Sequence, residues 1–193
     1  EYLGNLMHGD LGNSTSMSMP VTAILKKYGA ATFELAFLAV ILAMVIGIPL
    51  GKFSAHYRDK LPDVMIRLFA IASYATPVFF LGLLLKLIFS VWLPILPSNG
   101  RVSTFYESDL QAVAFPTGFN LIDSIQTGNM TIIVDVLSHA ILPALALGLL
   151  TAATFIRLIR TNLISTLSTD YVFAARSRGI SDKRIINKHA WKP

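Results

Sequence analysis

Three long apolar runs separated by polar stretches dominate the chain. Residues 28–51 form a 24-residue run whose only charge is Glu34. At about 1.5 Å per residue, a helix over that run covers roughly 36 Å, enough to cross a hydrocarbon core of about 30 Å. Residues 68–85 are uncharged, and 87–92 extend the run past Lys86, whose stem can snorkel toward the headgroups. Residues 136–156 add 21 uncharged positions, His139 among them, bounded by Asp135 and Arg157. The pattern predicts transmembrane helices at 28–52, 68–92 and 136–157. A signal peptide fits the first run poorly, because the run is too long, begins well inside the chain and lacks a small-residue cleavage site after it. Ahead of it, Pro20 to Lys27 predicts a short interfacial helix with Pro20 in its first turn.

The polar stretches predict an orientation, because basic residues in short loops stay on the cytoplasmic side. Residues 53–67 with the adjoining Lys52 carry Lys52, Arg58, Lys60 and Arg67, and the segment 158–193 with Arg157 carries Arg157, Arg160, Arg176, Arg178, Lys183, Arg184, Lys188 and Lys192. The 93–135 loop has Arg101 against Glu107, Asp109, Asp123 and Asp135, a net of 1 minus 4, or −3. Residues 1–27 and 93–135 are therefore expected outside, and 53–67 and 158–193 inside. The outer loop is rich in Pro and Gly, which predicts irregular structure with one or two short helices.

Composition supports a membrane protein: 54% hydrophobic and 14% charged residues, with mean hydropathy +0.62, where soluble domains carry about 25% charged residues. The formal charge of +5 and pI near 9.6 are read as a topology signal, so no nucleic-acid partner is expected. The absence of cysteine excludes disulfides, thiol catalysis and cysteine-ligated metals. His8, His56, His139 and His189 fall on opposite sides of the expected bilayer, so no metal site is expected. The chain opens at Glu1 without methionine and stops at Pro193 within a basic stretch, which suggests an internal piece of a longer polypeptide.

Few residues are candidates for chemistry. Gly47-Ile48-Pro49-Leu50-Gly51-Lys52 is not a phosphate loop, since three residues rather than four separate the glycines and Phe53 follows the lysine. Gly47 and Gly51 instead form a small-xxx-small face that lets another helix approach closely. Pro49, Pro77 and Pro143 fall one in each span; each removes a backbone donor and is either a gate hinge or a tolerated bend. Glu34 and His139, near span ends, are candidates for lining a pathway or for interfacial anchoring. In the tail, Thr169 or Asp170 can cap a short helix ended by Gly179, and Ser181 a second one beginning at Asp182. Ala174 and Ala175 beside Arg176 and Arg178 suit insertion into a partner's groove, although composition alone favours a basic segment lying on anionic lipid.

The tail resembles a known family. Ala174-Ala175-Arg176-Ser177-Arg178-Gly179 with Ile180-Ser181-Asp182-Lys183-Arg184, then Lys188-His189-Ala190, is similar to the cytoplasmic EAA loop of permease subunits in binding-protein-dependent ABC importers, in the dipeptide, oligopeptide and nickel branch. Gly9-Asp10-Leu11-Gly12, Ala31-Thr32-Phe33-Glu34-Leu35, Gly47-Ile48-Pro49-Leu50-Gly51, Pro77-Val78-Phe79-Phe80-Leu81-Gly82, Leu96-Pro97 with Gly100-Arg101, and His139 with Leu142-Pro143-Ala144 follow the same branch in order. Phe173 replaces the general motif's glutamate, and Pro193 stands where the branch usually has asparagine.

The resemblance implies an all-α integral membrane fold: three of about six transmembrane helices, with a long outer loop and a cytoplasmic coupling-helix pair. It implies a permease and not an enzyme, in the cytoplasmic membrane, working by alternating access. The expected partners are a second permease subunit, two ATP-binding subunits that hold ATP and Mg, an extracytoplasmic solute-binding protein and the lipid bilayer; the chain itself holds no cofactor. Ala174, Ala175, Arg176, Ser177, Arg178, Gly179 and Asp182 would then couple to the ATP-binding subunits. The rival readings are a membrane-embedded enzyme, for which no convergent polar constellation is found in the spans, and a membrane anchor or interaction subunit without transport activity.

Overall fold

The computed structural model describes residues 11–179. Gly9, Asp10, Ser181, Asp182, Lys183, Arg184, the Lys188-His189-Ala190 triplet and Pro193 lie outside the described residues, and so does the second tail helix expected from Asp182. Helix α1 runs unbroken from Val21–His56, so the short helix expected at 20–27 and the first apolar run are one element. Nothing between Pro20 and Tyr57 stops it. Pro20 opens the helix, its carbonyl accepting from Ala23 and Ile24 N–H, and Pro49 removes one donor without ending the helix.

A tight turn, with Asp59 in the left-handed region at φ 60, leads into α2 at Leu61–Ala75. Pro62 sits in the first turn of α2, where its missing N–H leaves no helical bond unmade. The residue before a proline is pushed out of the helical region. Thr76, just before Pro77, accordingly has ψ 126 and ends α2. Helix α3, Val78–Lys86, starts again beyond Pro77 and continues into a π-helical turn at Leu87–Trp92. The second apolar run is thus two helical segments bent by 106° at Thr76–Pro77.

The following loop carries a 3-10 turn at Thr104–Tyr106 and two short helices, α4 at Glu107–Gln111 and α5 at Asn120–Gln126. Helix α6 then covers Met130–Leu167 with Pro143 inside it, and α7 covers Asp170–Ser177. By length and composition α1 and α6 are each able to cross a membrane, and the bent α2–α3 pair makes a third crossing if counted as one span.

Two compact units share the long helices: described residues 11–38 with 86–142, and 39–85 with 143–179. In the first, Val102, Leu110, Ile132 and Val136 form a small core covered by Tyr106 and Leu121. Buried Asp123 accepts from the Thr117 and Gly118 N–H groups and the Thr117 hydroxyl, which fixes the entry to α5.

The second unit is held by small residues. Ala39, Ala43, Gly47, Gly51 and Ala55 recur every four positions along one face of α1, and all are buried. Gly148, Ala152, Phe155, Ile156 and Ile159 of α6 lie against that stripe. A Cβ at Gly47 would stand 2.7 Å from Phe155 Cβ, and one at Gly51 2.9 Å from Ile159 Cβ, so only glycine fits at this separation. Large side chains point outward instead, with Val45, Ile71, Tyr74 and Phe79 more than 60% exposed. Small residues between helices and bulky apolar ones outside are the arrangement that lipid favours.

Candidate functional site

Helix α7 follows α6 after only Ser168 and Thr169. The link is tight: the N–H and hydroxyl of Ser168 both donate to Ser165 O, and those of Thr169 to Thr166 O. Thr169 O in turn accepts from Val172 and Phe173 N–H, which starts α7. Val172 is fully buried and seats the helix, while Phe173, Ala174, Ser177 and Arg178 are exposed. Ala175 and Arg176 belong to α7, but their side chains lie outside the description. Gly179 has φ +78, the left-handed geometry that ends helices and that side chains with a Cβ resist.

Close to this end of α6, and unforeseen from the sequence, Asp63 is fully buried and gathers partners from three helices. Arg160 of α6 donates a two-pronged pair of hydrogen bonds, Nε to Oδ1 and Nη2 to Oδ2, each 2.7 Å. The Ser54 hydroxyl of α1 donates to Oδ1, and Asp59 N–H to Oδ2 at 3.0 Å. Arg67, one turn along α2, approaches Oδ2 at 3.6 Å. Asp63 precedes the apolar run that begins at Leu68. The Arg160 hydrogen bonds hold its carboxyl well below the usual carboxylate range against opposing desolvation, with the Ser54 hydroxyl and Asp59 N–H acting in the same direction as Arg160. In the sequence, basic residues dominate this loop, and the one signal of the cluster is an acid directly after Pro62 in a helix's first turn.

The other candidates have different partners. In the first unit Glu34 accepts from Arg101 Nη2 and from Leu121 N–H, and Arg101 also donates to Gly118 O at 3.2 Å. The carboxylate therefore ties the 93–129 loop to α1 and meets the free N–H groups opening α5. His139 Nδ1–H donates to Asp135 O at 2.8 Å, and its side chain is 6% exposed. Asp135 in turn accepts from Ser103 N–H and Oγ, at 2.8 and 2.7 Å. Pro77 marks the bend described above, and Pro143 lies within continuous α6. Among the described residues no group of three or more His, Asp or Glu side chains is arranged to hold a metal ion.

Helices long and apolar enough to cross a membrane, with bulky apolar side chains exposed on them and small residues packed between α1 and α6, define a multi-pass membrane protein. More narrowly, the chain belongs to the binding-protein-dependent transport system inner membrane component family, whose model matches residues 47–193. It is 40% identical over 179 residues to the probable D,D-dipeptide transport system permease protein DdpB of Escherichia coli K12, covering 93% of this chain and 52% of that protein. The dipeptide transport system permease protein DppB of the same strain is 35% identical over 189 residues, covering 98% and 55%. The putrescine export system permease protein SapB, also of K12, is 35% identical over 191 residues, covering 97% and 58%. The chain thus spans about half the length of the curated relatives it matches.

Proposed function

We propose that the chain forms part of the permease subunit of an ATP-driven ABC importer that moves peptides or a related small solute inward across the cytoplasmic membrane. The family match over residues 47–193 carries this reading, since the matched span includes Gly47, Gly51 and Ala55 of the stripe on α1, the Asp63 cluster and α7. Peptide-system names among the relatives support the solute class. In this reading a second permease subunit, two ATP-binding subunits holding ATP and Mg, and an extracytoplasmic solute-binding protein complete the machine. Residues 1–27 and 93–135 face outward, and 53–67 and 158–193 face the cytoplasm. The segment Ala174 to Gly179, with Asp182, is the contact for an ATP-binding subunit: α7 and the turn after it present exposed Phe173, Ala174 and Arg178, on a two-residue link that transmits motion without slack. Pro77, at the bend, is the candidate hinge.

The test is purification of the full-length protein expressed with the ATP-binding subunits of its own operon, followed by uptake of labelled dipeptide into proteoliposomes. The ATP-binding subunits should co-purify, and uptake should require both ATP and the solute-binding protein. A protein that purifies without an ATPase and supports no uptake is a membrane anchor, and the permease reading fails.

A further inference from the structure

We infer that Asp63 and Arg160 are positioning residues that lock the ends of α1, α2 and α6 into one rigid lever, so that movement of α7 reaches the bend at Thr76–Pro77 instead of being lost in sliding between helices. This rests on the permease reading above. The small-residue stripe brings α1 and α6 close, but apolar contact is non-directional and resists separation better than rotation or sliding. The carboxylate supplies the missing direction. Its two oxygens are held by a planar guanidinium fork, a hydroxyl on α1 and the N–H of Asp59, so neither α2 nor α6 can turn without breaking several bonds together.

Placement makes the lock consequential. Arg160 lies two turns before the end of α6, and α7 begins after a two-residue, hydrogen-bonded link. Asp63 lies in the first turn of α2, whose other end is the 106° break. The helix is therefore clamped at one end and interrupted at the other, the layout of a lever that delivers displacement to a pivot. Removing one partner of a buried pair leaves an orphan charge, which disturbs folding as well as coupling. The informative variant is therefore neutral: Asp63→Asn with Arg160→Met keeps an amide oxygen to accept from Asp59 N–H and an NH2 that can donate to the Ser54 hydroxyl oxygen, removes the orphan charge and abolishes the fork.

Transport of labelled dipeptide and ATP hydrolysis are measured on the assembled full-length complex carrying Asp63→Asn, Arg160→Met or both. The double variant should assemble and hydrolyse ATP, while solute moved per ATP falls roughly tenfold, within the usual range of coupling between sites. A purely stabilising pair would be restored by the neutral double variant, so wild-type transport per ATP in that variant overturns the lever. Failure of the double variant to assemble overturns it too, by making the pair an assembly device. A wild-type complex that neither transports nor hydrolyses ATP refutes the permease reading itself.

Discussion

At Gly47 a single added carbon would stand 2.7 Å from Phe155 Cβ, closer than a Cβ tolerates, and a tight 3.1 Å from the carbonyl oxygen of Ala152. The backbone of α6 cannot yield as a flexible side-chain tip would. Gly47→Leu and Gly51→Leu should therefore destabilise the purified protein by about 1–3 kcal/mol, the usual cost of overpacking. Val45→Leu, at a position 63% exposed, should be nearly silent. Thermal unfolding in detergent measures the difference; equal midpoints for all three variants would mean that α1 and α6 separate freely. The four-residue spacing of the glycines was legible in the sequence, and so was close packing; the partner helix was not. Nor was the longer stripe, because alanines are too common in apolar runs to stand out. The pairing of Asp63 with Arg160 was hidden for another reason: they are 97 positions apart, and no local pattern relates them.

At the scale of elements, apolar runs and helices do not share their ends. Apolar runs stop where charge begins, whereas helices stop at caps and breakers. Helix α1 therefore continues past Lys52 to His56, and α6 past Arg157 and Arg160 to Leu167. The reverse holds at Pro77, where an uninterrupted apolar run conceals a break that the backbone of Thr76 imposes. The end of α7 was the easiest to read, since glycine after a short capped helix is a common stop signal. Gly179→Val would force a β-branched side chain into φ +78. In the full-length complex this variant should stay in the membrane yet lose transport or its ATP-binding subunits. Normal transport with normal ATPase activity would remove α7 from the coupling role.

For the whole molecule, orientation rests on charge and can be tested directly. Cysteines at Ser98 and Ser108, both exposed, should react with an impermeant thiol reagent in intact cells. Cysteines at Lys60 and Ser177, also exposed, should react only after lysis. Ser54 is unsuitable as an inner probe because it is fully buried against Asp63. Labelling at Lys60 or Ser177 from outside would invert the proposed topology.

Helix α6 is also longer than any bilayer requires. Its 38 residues extend about 57 Å, against about 40–45 Å for a membrane with its headgroups. Beyond Ile156, where the apolar run ends, eleven further residues carry the helix roughly 16 Å to Leu167. The headgroup layer takes up only about half of that distance. In the proposed orientation α7 is held off the membrane surface on a rigid post, where a water-soluble subunit can grip it without displacing lipid. Membranes that differ by a few ångströms in thickness shift where a span settles, but they leave α7 standing in water. The length of one uninterrupted helix, not the surrounding lipid, sets the height of that contact.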